Sequence, residues 1–440
     1  MPPLLKFKDD PLLGKVIRTS GSLLSANTIS LGLSVLQGVM ATRLLGPAGF
    51  GLIGVVMAFA STVNSLLSFR MVELVVRYGG EFIEKGEKEK AAAVIKAAAL
   101  LEGTVSAMAF IAVLLSAGLA ESYLVKTPGS ARLFIYYGIG LLANFNVETS
   151  GGILQVTGGI KWQGAINLVQ SILTTLVIAG AFFFEGGLMM VLIGYLVGKS
   201  VLGLGLFLAA QVRLRSVLQH GWWRTPISRA SSTREMVRFA VSSNLSATII
   251  KIFRESELLW VGFFLDTTAA GYYRVAFTLV HFLAIPADPL IATTFPEINR
   301  LVVEKAWPRL KDFLRKVTTL SFAYNLVLGL GLVLFGRWII LIYAGNDFLS
   351  AYPALVALTV GLVFNYSLFW NRPLLLALSL PEFPVFITLV SGLLKLGLAF
   401  PLVPTYGIIA AGTLLSFYYI VTVGGMALRG LRQIRASEAG

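Results

Sequence analysis

Runs of about 20 mainly apolar residues, the length a helix needs to cross a bilayer, recur along almost the entire chain, at 19–41, 48–70, 94–118, 131–154, 165–184, 187–211, 240–262, 270–296, 317–343, 353–380, 383–403 and 407–428. Short polar turns separate them, and basic segments mark many of the connections that follow even-numbered runs. The pattern predicts an all-α polytopic membrane protein of about 12 transmembrane helices. A cytoplasmic interfacial segment at 1–18 precedes them, a basic linker at 212–238 separates the first six from the last six, and a basic tail follows at 429–440. The first apolar run, from about Gly21 to Ala41, is too long for the core of a signal peptide and reads as the first span.

Composition agrees with this reading, because 56% hydrophobic and only 13% charged residues exceed what a soluble surface needs. The net charge of +14 follows from topology. With the N-terminus inside, and with Arg70, Lys96, Arg132 and Arg337 near span ends counted with the adjacent loops, 26 of the 36 basic residues fall in the two tails and the inner loops, four fall outside and six lie in spans, as expected when Lys and Arg collect on the cytoplasmic side. Both termini are therefore expected in the cytoplasm, with the chain in the cell membrane. If 240–262 did not cross, the basic cluster from Arg300 to Lys316 and the tail residues Arg429, Arg432 and Arg435 would lie outside, so the count favours a true span there. The dispersed charges lack an aromatic-interleaved reading surface for nucleic acid, whereas inner-loop cations suit anionic lipid headgroups. The absence of cysteine excludes disulfides, thiol catalysis and cysteine-held metal.

The two halves echo each other. Leu45 to Gly51 followed by Val55 aligns with Leu265 to Gly271 followed by Val275, an offset of 220 positions that also relates Gly187, before the sixth run, to Gly407, before the twelfth. Six spans per half give parallel repeats related by an axis along the membrane normal. The expected architecture is two pseudo-symmetric six-helix lobes, 19–211 and 239–428, around a central cavity.

The run 240–262 carries Lys251, Arg254, Glu255 and Glu257 near its middle. A charge at the centre of a membrane helix costs roughly 2.5–3.5 kcal/mol on insertion scales, so such residues face a polar pathway or a partner. At 100° per residue the four fall within an arc of about 160°, which makes one face of the helix polar. Two readings follow. Lys251 and Arg254 line a path for an anion, or Lys251 with Glu255 and Arg254 with Glu257 neutralise each other at i,i+4 and i,i+3 and lock the helix to a neighbour.

Four motifs resemble one family: Arg43 to Gly51 (RLLGPAGFG), Phe295 to Leu301 (FPEINRL), Tyr343 to Phe348 (YAGNDF) and Val403 to Gly407 (VPTYG). Their order and spacing over nearly the whole chain, with twelve runs, resemble the polysaccharide-export flippases, of the superfamily that also holds multidrug extruders and peptidoglycan lipid-precursor flippases. The resemblance implies two six-helix lobes in a V and movement of a polyprenyl-diphosphate-linked oligosaccharide from the cytoplasmic to the outer leaflet. An anionic lipid-linked glycan, membrane lipids and glycan-assembly enzymes are the partners it implies. Glu257 stands where that family often has an acid five positions before a glycine, here Gly262.

A cationic lining lowers the barrier to a diphosphate in a low-dielectric region. The expected substrate-binding cations are Lys251, Arg254, Lys199, Lys395 and Arg372. Lys199 and Lys395 either face the cavity, pair with an acid or snorkel, and Arg372 precedes Pro373, expected to kink its span. Arg43 and Arg274 lie near outer span ends. Glu255, Glu257, Asp288 and Glu102, with Glu73 and Glu148, are the acids in or near spans available for ion pairing or proton coupling. His281 is expected to be a hydrogen-bonded packing residue, and Gly194 with Gly198 to allow close helix approach. Asn64, Asn144, Asn146, Asn244, Gln170, Tyr366 and Trp370 are candidates for glycan contact. No P-loop, zinc-helix motif or nucleophile elbow occurs, so no enzyme activity, cofactor or metal site is expected. The competing reading is an ion-coupled multidrug extruder, which for cationic drugs would favour an acidic, aromatic cavity. A passive scramblase would need neither the echo nor the central charges.

Overall fold

The computed structural model describes residues 11–68, 70–218, 221–229, 253, 256–284 and 287–439. They are overwhelmingly helical, and no strand occurs among them. Helix α1 (Pro11–Leu67) turns at Gly46 (φ 63°, ψ −178°). Pro47 follows, a residue suited to the start of a helical segment because it has no N–H to leave unpaired. Short α2 (Met71–Leu74), a π turn (Val75–Gly79) and α3 (Gly80–Glu84) lead to α4 (Lys88–Ala120). Then come α5 (Ala131–Ala143), α6 (Val147–Val156), α7 (Ile160–Phe183) and α8 (Gly187–Leu218). The second half contains α9 (Glu257–Phe264), α10 (Thr267–His281), α11 (Ala287–Val303), α12 (Trp307–Tyr343), α13 (Tyr352–Ser367), α14 (Asn371–Ala377) and α15 (Glu382–Ala439).

Seven helical stretches among the described residues are long and apolar enough to cross a membrane. Both α1, with 57 residues, and α15, with 58, greatly exceed one crossing, which takes about 20 residues. Each carries two of the apolar runs, joined across a glycine with positive φ.

Among the described residues four expected spans are interrupted, one of them, 240–262, at Ser256 immediately before α9. The run 131–154 is split between α5 and α6 at Asn144–Asn146, where asparagine side chains compete with the helical backbone. The run 270–296 is split after α10 by a 3₁₀ turn, Phe282–Ala284. The run 353–380 breaks at Leu368–Trp370, ahead of Pro373 rather than at it. Pro373 sits in the first turn of α14, where its missing N–H removes no helical bond.

The chain packs as two compact units, one of Met1–Leu44, Ala60–Ala120 and Gly129–Leu245, the other of Leu45–Phe59, Glu121–Pro128 and Ser246–Gly440. In the first, α7 and α8 form a tight pair. A Cβ on Gly198 would lie 2.2 Å from Thr174 Oγ1 and one on Gly194 2.9 Å from Ile178, so these glycines do permit the close approach expected of them. Met71, Val75, Ile95, Ile153, Leu214 and Trp222 belong to this unit's core. In the second, Ile298, Leu310, Phe369, Leu374 and Ile434 form part of the core. Large apolar residues such as Leu115, Phe184, Val327, Leu334 and Trp338 are exposed, as suits helices solvated by lipid.

The internal echo has a physical counterpart inside the second unit. Gly51 and Gly271, which are 220 positions apart, sit where the start of the 47–59 segment crosses α10. A Cβ on Gly51 would lie 1.8 Å from the Thr267 carbonyl oxygen, and one on Gly271 would lie 2.1 Å from that of Pro47. Thr267 is itself Pro47 shifted by 220, so the contact is reciprocal, as a local two-fold relation requires. Gly187 and Gly407 likewise share positive φ, 67° and 64°.

Candidate functional site

Lys251, Arg254, Glu255 and Asn244 lie outside the described residues. Asp288 falls on α11, and its side chain is likewise outside them. Of the remaining charges of the spans, Lys395 with Glu257 in the second unit and Glu102 with Glu148 in the first form two centres.

In the second unit the start of α9 meets the first half of α15. Ser391, Gly392 and Lys395 share one face of α15, and the missing side chain of Gly392 admits the Phe253 ring, which would lie 2.4 Å from a Cβ there. This close approach carries Lys395 to the N-terminus of α9. Its ammonium donates to Glu257 Oε1 and to the Phe253 carbonyl oxygen, the latter at 2.7 Å, and lies 5.0 Å from the centre of the Tyr418 ring. Lys395 is 4% exposed and Glu257 6%. Removing either partner would leave a lone charge in a low-dielectric interior, the expensive arrangement for a buried pair. A small cavity beside them is lined by Trp260, Ala399 and Leu414 as well as by the pair. Of the three roles open to Lys395, the structure therefore shows pairing with an acid, and the partner is Glu257.

In the first unit, Glu102 of α4 reaches the break between α5 and α6. Its two carboxylate oxygens accept the backbone N–H groups of Glu148 and Thr149, each at 2.8 Å. Asn146 holds the N-cap position of α6 but makes no capping bond, so a carboxylate 46 positions away satisfies the helix start. Glu148 Oε2 in turn accepts the Met71 N–H at 2.8 Å and caps α2. These two acids anchor the ends of interrupted membrane helices. Glu73 instead pairs with Arg70 near the surface.

Lys199 of α8 is half-buried, with its ammonium 4.7 Å from the centre of the Tyr137 ring and its stem against Gly140. Arg372 and Arg43 are exposed. Arg274 donates to the Phe50 carbonyl oxygen at 2.9 Å and covers the Phe50 ring at 4.1 Å. His281, expected to be a hydrogen-bonded packing residue, makes such contacts although it is exposed on α10. Its ring stacks on Phe277 and its Nδ1 lies 3.4 Å from the Tyr366 hydroxyl. Trp370 donates to Thr318 Oγ1 at 2.7 Å, and Gln170 to Thr174 Oγ1 at 3.2 Å.

A family model described as polysaccharide biosynthesis protein matches residues 16–302. The chain belongs to this family. The inner membrane protein YghQ of Escherichia coli is 23% identical over 340 residues, 77% of this chain and 94% of that one. Among solved structures, a multidrug resistance MATE family transporter of the MOP superfamily in an inward-facing conformation aligns with a TM-score of 0.75 at 16% identity, over 95% of this chain and 98% of that one. A MOP superfamily transporter from Pyrococcus furiosus, described as having a binding pocket of reverse polarity that suggests a different function, aligns with a TM-score of 0.64 at 15% identity, covering 96% of each chain. At these identities the likeness shows a shared fold. The expected all-helical membrane architecture is thus found.

Within this family member, the pairing of Glu257 with Lys395 was beyond sequence reasoning, because the two lie 138 positions apart and Lys251 and Arg254 stand nearer to Glu257 on its own run. Gly392, spaced three residues before Lys395, is the nearest sequence signal of a close approach there. The capping of α6 by Glu102 was equally hidden, although an acid in an apolar helix and an asparagine-rich break were each visible.

Proposed function

We propose that this protein is a flippase that moves a polyprenyl-diphosphate-linked oligosaccharide from the cytoplasmic to the outer leaflet for cell-surface glycan synthesis. Membership of the polysaccharide biosynthesis family over residues 16–302 is the observation that carries the reading. The cation-rich spans support it: Lys251 and Arg254 of the seventh run, with Lys199 beside Tyr137, offer charge complementary to a diphosphate. The ammonium of Lys395 is engaged by Glu257 and contributes no net charge to an anion, so the proposed cationic set is Lys251, Arg254, Lys199 and Arg372. Transport proceeds by alternating access of the lobes 19–211 and 239–428, with both termini in the cytoplasm, the prenyl chain in lipid, and glycan-assembly enzymes supplying and consuming the substrate.

The reading is tested by titrating purified protein with the diphosphate-linked oligosaccharide and with a neutral glycolipid bearing the same glycan. Tighter binding of the diphosphate, weakened by salt and by Lys199→Gln, supports it. Equal affinity for the two lipids counts against it, and binding only of cationic drugs would favour an extruder.

A further inference from the structure

The groups that hold Lys395 are those that suit a small monovalent cation. The Glu257 carboxylate, the Phe253 carbonyl oxygen one turn before α9 and the face of the Tyr418 ring converge on the ammonium nitrogen. Carboxylates and backbone carbonyls at interrupted membrane helices are what secondary transporters use to coordinate sodium ions or protons. Another polar group lies on α10, which packs against α9: the hydroxyl of Tyr273 is buried without a hydrogen-bond partner. The chain's own side chain fills the position from α15.

We propose that Glu257 and the Phe253 carbonyl form a monovalent-cation site whose occupant is the tethered ammonium of Lys395. While Lys395 is present, the site takes up no free sodium, lithium or potassium. Shortening that side chain leaves a buried carboxylate, a carbonyl and the space the ammonium occupied, next to the cavity lined by Trp260, Ala399 and Leu414, and a free alkali cation then enters. Charge balance requires the freed carboxylate to take up a cation or a proton, and the Phe253 carbonyl oxygen beside it gives a metal cation a second ligand that a proton does not need. The proposal is independent of the transported substrate, because ion binding is read on the full-length protein alone.

The test compares the unmodified protein with Lys395→Ala and with the double variant Lys395→Ala, Glu257→Gln. Thermal unfolding is followed in choline chloride and on replacement by NaCl, LiCl or KCl at constant ionic strength. The unmodified protein should melt at one temperature in all four salts. Lys395→Ala should melt lower in choline and recover by several degrees, saturably, with at least one alkali cation. The double variant, without the carboxylate, should show no recovery. A flat response of Lys395→Ala in every salt overturns the proposal, as does a saturable rise in the unmodified protein that Glu257→Gln removes. Should Lys395→Ala fail to survive purification in choline, its recovery in an alkali salt supports the proposal and its loss in all of them overturns it.

Discussion

Replacing Gly51 by alanine adds one methyl group at the tightest crossing in the second unit. That carbon would lie 1.8 Å from the Thr267 carbonyl oxygen and 2.5 Å from the Gly271 nitrogen. Both are backbone atoms, so no side chain can swing aside, and the 47–59 segment must move from α10 by more than 1 Å to restore ordinary contact. Overpacking of this kind costs roughly 1–3 kcal/mol and occasionally more. Gly271→Ala should cost a similar amount, since its Cβ meets the Pro47 oxygen at 2.1 Å. Because either change separates the same two helices, the double variant should lose less than the sum of the single losses. The comparison is Gly331→Ala in α12, which meets nothing within 4 Å and should gain about 0.5–1 kcal/mol from reduced backbone freedom in the unfolded chain. Equilibrium unfolding of the purified variants supplies the measurement. If Gly51→Ala proves as stable as Gly331→Ala, or if the two crossing variants add fully, the reciprocal contact is refuted.

Glu102→Ala should destabilise strongly, because it leaves the Glu148 and Thr149 N–H groups without their acceptor, at about 1–3 kcal/mol for each buried donor. Glu89→Ala, which breaks only an exposed pair with Arg229, should cost no more than about 1 kcal/mol, and unfolding of the two variants compares them directly. Lys126 donates to the carbonyl oxygens of Phe263 and Leu265 at 2.8 and 2.9 Å, so Lys126→Met should speed amide exchange at the end of α9 while leaving the core of α12 unchanged. Alanine at Gly187 and at Gly407 should each cost about 1–2 kcal/mol, since both need the left-handed backbone region, and melting temperatures should show losses of similar size at the two matched positions.

The membrane class was legible in the sequence because spans are fixed by length and apolarity, which need no tertiary information. The glycines at 51, 271, 187 and 407 were legible too: an offset of 220 picked them out, and their close approach and positive φ give that offset a physical meaning. Breaks inside spans were harder to read. Asn144–Asn146 interrupts one run, and Pro373, the most conspicuous breaker in another, sits just past the true break because the first turn of α14 tolerates it. Charge partners were the least legible. Spacing on one helix offered Arg254 to Glu257, whereas the partner the structure shows is Lys395 on another helix, brought near by the missing side chain of Gly392. Glu102 read as a possible coupling acid, but its contacts are those of a cap on a helix that begins inside the unit.

The most direct test of the proposed function follows a fluorescent polyprenyl-diphosphate oligosaccharide across the membrane of proteoliposomes containing the unmodified protein or a Lys251→Gln, Arg254→Gln variant of matched folding. The account predicts movement with the unmodified protein and its loss in the variant. Equal movement with both would remove these two cations from the transport site, and no movement with the unmodified protein, in the presence of ion gradients of either direction, would contradict the flippase reading itself.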